Sequence, residues 1–270
     1  MEQLKPGIFY GQTNHTINLD DIILTGTEYT LDFVDWHYHE NAYFTFILEG
    51  NVNEHSKQHT HSCSAGTLLF HNCEEPHYNT KSKGFTRGFH VELNRNWFNS
   101  LDIDISTLNG NLNISHPHIK LLFYNIFKET KINDGATLVT IQQLLIQGFT
   151  QMLNTDKTIE RKNPLWVNKV KEILHDDYSQ KLTLENLSAS LNIHPVHLSR
   201  DFVKYFNCTL GTYVRKIRIE KSLSFLYNRN LSLTDIAFSC GFFDQSHFLR
   251  CFKQANGITP SAYRKILCRN

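Results

Sequence analysis

Two stretches of this chain are written to one plan. The first runs Leu184-Glu-Asn-Leu-Ser-Ala-Ser-Leu-Asn192-Ile193 and continues His194-Pro-Val-His-Leu-Ser-Arg-Asp-Phe202. The second runs Leu233-Thr-Asp-Ile-Ala-Phe-Ser-Cys-Gly241-Phe242 and continues Phe243-Asp-Gln-Ser-His-Phe-Leu-Arg-Cys-Phe252-Lys253. In each, a short amphipathic helix stops at a residue that tolerates positive φ, Asn192 or Gly241. An apolar residue, Ile193 or Phe242, is then placed to tuck under the turn. A second helix follows, with Leu198 and Phe202, or Phe248 and Phe252, on its inner face. A helix-turn-helix pattern met twice predicts an all-helical C-terminal region.

Helix caps support that reading. Thr183 precedes one helix, Ser232 and Asp235 form a capping box, Asp244 precedes another helix, and Thr259-Pro260 places a cap before a proline at the first helical position.

The outward faces of the two second helices carry chemistry suited to base edges. Val196, Ser199 and Arg200 lie on the first, and Gln245, Ser246, His247 and Arg250 on the second. Arg and Gln form bidentate bonds to guanine and adenine in the major groove, and small or apolar side chains meet thymine methyls. Lys204, Arg215, Lys216, Arg218, Lys253, Lys265 and Arg269 are candidates to neutralise phosphates. The overall charge of +1 hides an asymmetry. Residues 1–155 carry 9 Lys/Arg against 16 Asp/Glu, whereas residues 156–270 carry 18 against 10. A basic half beside an acidic half fits one part that meets a polyanion and one that does not, which argues against a helical adaptor that binds only protein.

Ser232 through Arg264 resembles the signature of AraC-type transcription regulators, as do Leu198-Ser-Arg-Asp-Phe202 and Arg218-Ile-Glu-Lys-Ser222. The resemblance spans about 165 to 268. It implies a long helix over roughly 210–226 that holds the two units apart, so that their recognition helices read successive major grooves. Carried onto this chain, the base-facing positions are Val196, Ser199, Arg200, Gln245, Ser246, His247 and Arg250. Ser222 stands where the family usually has alanine, and a buried serine can bond a preceding carbonyl.

The first hundred residues read as β. Ile22-Ile-Leu24, Tyr43-Phe-Thr-Phe-Ile-Leu48 and Thr67-Leu-Leu-Phe70 are apolar, aromatic and branched, and Gly, Asn and Pro punctuate them. Trp36-His-Tyr-His-Glu40, Gly66-Thr-Leu-Leu-Phe70 and Pro76-His77 resemble the cupin jelly roll that forms the sensor half of many AraC-type proteins. That likeness predicts a cupin-like β-barrel with an effector in its mouth. His37 and His39 share one strand face, and His77 falls where a third ligand could stand. Enzymatic cupins add a glutamate, whose place is poorly matched here: Glu40 comes early and the nearer spacing falls on Tyr43. His37, His39, His77 and Tyr43 are therefore the candidate ligand-binding residues. The three histidines alone could hold a divalent metal such as Zn, Fe, Ni or Cu. With no convincing carboxylate or nucleophile, a metal-dependent cupin enzyme is the weaker reading, and no catalytic residue is assigned.

Between these parts, Ile119, Leu122, Phe123, Ile126 and Phe127, then Leu138, Ile141, Leu144, Leu145, Phe149 and Met152, lie at helical spacing. They predict a helical hairpin that covers the β-domain or joins two copies. The expected organisation is an α+β chain: a sensor domain over 1–115, a hairpin over 116–154, a polar linker over 155–164 and a double helix-turn-helix domain over 165–270. Expected partners are double-stranded DNA, an unidentified small-molecule effector, RNA polymerase and a second copy of the chain. No apolar run reaches the roughly 18 residues that span a bilayer, and the N-terminus shows no signal-peptide pattern, so the expected location is the cytoplasm. The six cysteines form no CxxC pair and are expected to be small core hydrophobes.

Overall fold

The computed structural model describes residues 1–108, 110–159 and 164–267. They divide into two units, one ending at His116 and one beginning at Pro117.

The first unit holds eleven strands among its described residues: β1 (Glu2–Leu4), β2 (Gln12–Leu19), β3 (Ile22–Glu28), β4 (Phe33–His39), β5 (Ala42–Glu49), β6 (Asn51–Ser56), β7 (Thr60–Ser64), β8 (Leu68–His71), β9 (His77–Thr80), β10 (Arg87–Leu93) and β11 (Asn111–Asn113), with a short helix α1 (Arg95–Ser100) after β10. They form two sheets, β1-β4-β9-β6-β7 and β11-β8-β5-β10-β3-β2. The closed barrel expected from sequence is thus two separate sheets of jelly-roll type. Only β1 runs parallel to its neighbour, β4; the other pairings are antiparallel.

Strand β5 is central in the larger sheet and buried on both faces from Ala42 to Leu48, which is why its sequence is nearly continuous apolar rather than alternating. Strand β4 carries a one-residue irregularity. Val34 pairs with Asn79 and His37 with His77, so three steps on β4 match two on β9. Such a bulge re-aims the side chains that follow it. The buried positions pass from Val34 to His37 and His39, while Asp35 stays exposed.

The second unit is helical: α2 (Pro117–Ile132), α3 (Thr137–Ile159), α4 (Leu165–Asp176), α5 (Leu184–Leu191), α6 (Pro195–Phe206), α7 (Leu210–Leu226), α8 (Leu233–Ser239), α9 (Gln245–Asn256) and α10 (Pro260–Leu267). Helix α3 continues through Ile159, into the stretch expected to be a linker; of that linker, residues 160–163 lie outside the described residues. The hairpin α2–α3 belongs to the same unit as the helix-turn-helix helices. Leu145, on the stripe that the sequence offers for covering the β-domain or joining two copies, is fully buried within this unit, so a charge at that position would break the helical unit itself.

Helix α2 is tied to the C-terminal helices by polar contacts. The Tyr263 hydroxyl donates to the Tyr124 carbonyl at 2.7 Å. Lys128 Nζ donates to the Asn256 carbonyl, at the end of α9, at 3.4 Å. Lys120 Nζ lies 3.8 Å from the carboxylate of Glu220 on α7, and both side chains are buried. Charges taken from water hold their place only when paired, so this contact fixes where α2 sits along α7.

Candidate functional site

Two sites follow from these elements. In the helical unit, each turn is closed in the same way. Asn192 has φ 54° and Gly241 has φ 77°. The amide of Ile193 donates to the Ser188 carbonyl and that of Phe242 to the Ala237 carbonyl, both at 3.0 Å, the six-to-one bond of a Schellman turn. Thr183 accepts from Asn186 N, Ser232 and Asp235 complete a capping box, and Asp244 accepts from His247 N. Thr259 accepts from Ala262 N. Leu198, Phe202, Phe248 and Phe252 are buried, which leaves the opposite faces outward. Val196, Ser199, Arg200, Ser246 and Arg250 are exposed, and Gln245 and His247 are half-buried.

Local bonds already order part of this surface. Arg200 Nε donates to its neighbour Asp201 at 3.1 Å, and Thr234 Oγ1 donates to Gln245 Oε1 at 3.0 Å. Arg218 is a correction: its guanidinium donates to the carbonyls of Tyr178 and Gln180, both at 2.8 Å. It clamps the connection between α4 and α5 rather than standing free for phosphate. Arg269 lies outside the described residues. Ser222 is buried and donates to the Ile219 carbonyl at 2.7 Å, so this departure from the family residue is absorbed locally. Phe243, 87% exposed just ahead of α9, is a surface aromatic that the pattern of inner-face residues passes over.

In the β unit, the sheets bring a cluster of histidines together. The bulged β4 turns His37 and His39 inward, and His77, opposite His37 in the ladder, shares their face. The His37 and His77 rings are 4.2 Å apart, and one ligand atom from each of His37, His39 and His77 lies within 4.8 Å of the others. The facing sheet adds Tyr43, His71 and His90, for Tyr43 pairs with His71 and Thr45 with His90. Tyr43 Oη and His77 Nε2 are 3.1 Å apart. Sequence reading found His37, His39, His77 and Tyr43 but missed His71, His90 and Glu54. Glu40, considered for the acidic position, is exposed. Glu54 on β6 is the buried carboxylate that reaches the cluster: its side chain accepts from Asn111 at 3.2 Å and lies 3.3 Å from His71 Nε2.

Burial sets the protonation of this cluster. Loss of water pushes His77 and His90 down to about 3, and holds His39 and His71 well below the usual histidine range. The same loss pushes the Glu54 carboxyl up to about 8, against the hydrogen bonds from Asn79 and Asn111. Both shifts favour neutral forms, so the Glu54–His71 contact is a neutral acid beside a neutral imidazole rather than an ion pair. The space enclosed by Phe9, His37, His39, Tyr43, His77 and His90 is about 30 Å³. Phe9 stacks on His90 with ring centres 3.7 Å apart and on His39 at 4.7 Å.

These two sites, a duplicated helix-turn-helix surface and a buried polar pocket in a jelly roll, define a ligand-sensing DNA-binding protein in outline. Comparison with known families agrees. A helix-turn-helix domain family matches residues 187–266, and the AraC-like ligand binding domain matches residues 21–152. The chain belongs to the AraC family of transcription regulators. It is 33% identical over 105 residues to the Msm operon regulatory protein of Streptococcus mutans, covering 39% of this chain and 38% of that protein. It is 31% identical over 101 residues to the bifunctional transcriptional activator/DNA repair enzyme AdaA of Bacillus subtilis, covering 37% of this chain and 48% of that protein. The chain thus spans less than half the length of these relatives. The crystal structure of an apo ToxT variant from Vibrio cholerae is similar at 14% identity with a TM-score of 0.44, over 93% of this chain and 99% of that one. The ligand-binding match reaches residue 152 and so includes α2, which here shares a unit with the DNA-binding helices.

Proposed function

We propose that this protein is a sequence-specific, effector-responsive transcription regulator that works in the cytoplasm and carries out no catalytic step. The observation that carries the reading is the pair of matching helix-turn-helix units inside the basic half, each presenting an outward face of base-reading side chains. Val196, Ser199 and Arg200 would read one major groove, and Gln245, Ser246, His247 and Arg250 the next. The pocket lined by His37, His39, His77 and Tyr43 would receive the effector. No helix among the described residues is long and apolar enough to cross a membrane. Activation through RNA polymerase and action as a homodimer complete the proposal. The outer face of α3, where Val139 and Ile146 are exposed, is the surface offered to a second copy, in place of the buried Leu145.

The test is footprinting of the purified chain on genomic fragments, followed by titration of a recovered site in rising salt. The logarithm of affinity is expected to fall linearly with the logarithm of salt concentration. Arg200→Ala and Arg250→Ala should each weaken a selected site by about 1–3 kcal/mol where the side chain reads a base, and relax preference at one position. Binding that ignores salt, or full affinity in both variants, would remove the assignment of the recognition faces.

A further inference from the structure

The helical unit holds a cavity of its own. Its volume is about 470 Å³, within the roughly 300–1,000 Å³ of sites that take small organic molecules. The cavity lies wholly within residues 117–270, and helices α2, α3, α7 and α9 all contribute to it. Leu121, Leu122 and Ile219 are buried and form an apolar wall.

The charge of the lining has one sign. Arg215 and Lys216 line the cavity, and no aspartate or glutamate does. Among the described residues, neither cation takes part in an ion pair. Arg215 Nη2 donates to the Thr212 hydroxyl at 3.0 Å, which orients the guanidinium without neutralising it. Uncompensated cations beside an apolar wall concentrate their field in the cleft and attract anions. Gln147 Nε2 on α3 donates to His118 Nε2 on α2 at 3.3 Å. Burial, and then the Lys216 charge, hold His118 below the usual histidine range, so its imidazole stands neutral beside the two cations. The Asn125 carboxamide oxygen, also in the lining, is buried without a hydrogen-bond partner among the described residues. That state is costly, and an occupant with a hydroxyl or amide donor relieves it.

We propose that this cavity binds a small organic anion, a carboxylate or a phosphate monoester on an apolar body. The anionic head pairs with Lys216 and with the Arg215 guanidinium, whose planar donors match a carboxylate or a phosphate. The body covers Leu121, Leu122 and Ile219. Sequence reading offers Arg215 and Lys216 to DNA phosphates. Their place beside an apolar wall suits a ligand that carries carbon as well as charge. Cys251, Gln254 and Ala255 of α9 also line the cavity, so a bound molecule touches α2 and α9 together. That link to DNA rests on the reading of α9 as the second recognition helix.

The experiment uses the full chain and fluorine NMR of four probes: para-fluorobenzoate, para-fluorophenyl phosphate, the neutral para-fluorobenzamide and the cationic para-fluorobenzylamine. At least one anion should bind saturably, and neither the amide nor the amine should. Which anion binds tells carboxylate from phosphate. Arg215→Met and Lys216→Met should each weaken that anion about fivefold, the worth of one charge-assisted hydrogen bond that still faces water. Lys181→Met, an exposed cation outside the lining, should leave it unchanged. The matching para-iodo anion, located by anomalous scattering in crystals of the wild-type chain, should place its iodine over Leu121, Leu122 and Ile219; this needs no variant to fold. Anions that bind no better than the amide, or an iodine outside this cavity, would overturn the site. Variants that keep anion affinity but flatten the salt dependence of DNA binding would assign both cations to DNA phosphates and overturn it too. Duplex DNA bearing a recovered site should change the affinity for the anion, because coupling between two ligands is reciprocal. Equal affinity with and without DNA would overturn the link to α9. If the chain binds the anion but no DNA at any salt, the recognition faces fail and the cavity stands.

Discussion

The two helix-turn-helix units share a plan but are held in place differently. The first rests on its own cluster, in which Val170, Leu174, Leu187, Leu198, Phe202 and Ile217 are buried together. The second is pinned from outside. Tyr263, which stacks edge-on against Phe252 of α9, bonds to α2, and α2 also reaches the end of α9 through Lys128. Their turns differ too. A β-carbon on Gly241 would stand 2.4 Å from the Ser179 carbonyl oxygen, whereas Asn192 already carries a side chain at a similar φ. The first unit is therefore specified mostly by its own sequence, and the second by contacts with α2 and with the 178–180 connection. A change in α2 would reach the second recognition helix first.

The largest test of that contrast is the buried pair Lys120–Glu220. Lys120→Ala leaves the Glu220 carboxylate, whose oxygens accept no hydrogen bond, with its charge uncompensated. A loss of about 3–5 kcal/mol is expected from breaking such a pair, measured by chemical denaturation. The double variant Lys120→Met/Glu220→Leu should recover much of it. Equal losses in the single and double variants would show that α2 is not held by charge.

Next is Gly241→Ala. The left-handed conformation costs roughly 1–2 kcal/mol for a residue with a β-carbon, and the collision with Ser179 adds to it. The expected outcome is a lower melting temperature together with lost protection of amides in α8 and α9, while α5 and α6 keep theirs. Asn192→Ala should cost only about 1 kcal/mol and act on the first unit alone. If both variants loosen both units equally, the two are not held independently.

Acidification separates the β unit from the helical one. His90 titrates at about 3 because it is buried, against an ordinary value near 6.5. Between those values the unfolded chain binds the proton and the folded chain does not, so stability present at pH 7 is lost as pH falls below about 6.5. By pH 5 this one group removes on the order of 2 kcal/mol from the β unit. Glu54, shifted up to about 8, works in the opposite sense and gains on the order of 2 kcal/mol over the same range; His77, also pushed down to about 3 by burial, loses as much as His90, and the two histidines together outweigh Glu54. In the helical unit, burial with Lys120 and Lys221 pushes His175 down to about 4, and burial with Lys216 lowers His118. Stability measured at pH 7 and pH 5 in chelator should fall further in the β unit. A helical unit that melts first on acidification would reverse the expectation.

The helical half was the more legible in sequence, for a physical reason. Caps, left-handed stops and inner-face spacing are local, so Thr183, Asn192, Ser232, Gly241 and Asp244 announce themselves within a few residues. Arg218 was misread because its partners, the carbonyls at 178 and 180, lie far away in the chain. Nothing near Lys120 in the chain marks it as buried, because its partner Glu220 is equally remote. In the β half, His37, His39 and His77 stood out through spacing, yet Glu54, His71 and His90 did not. Strand β8 is buried throughout, so His71 leaves no alternation to detect. A signal was available for His90: with Glu92 it takes every second position between Phe89, Val91 and Leu93, as two polar residues sharing one face of a strand would.

The irregularity in β4 has a consequence for how such a protein diversifies. One additional residue between Val34 and His37 decides which half of the strand faces the interior. Were the strand to pair without the bulge and keep every residue, the parity would reverse, presenting Trp36 and Tyr38 to the interior and His37 and His39 to solvent; deleting the additional residue instead leaves both histidines inward. A polar, nitrogen-rich chamber exchanges for an aromatic one through the pairing of a single strand, with the strand order of both sheets unchanged. In a lineage of sensors built on this scaffold, what is sensed can therefore change through gain or loss of one strand irregularity, without a series of side-chain replacements.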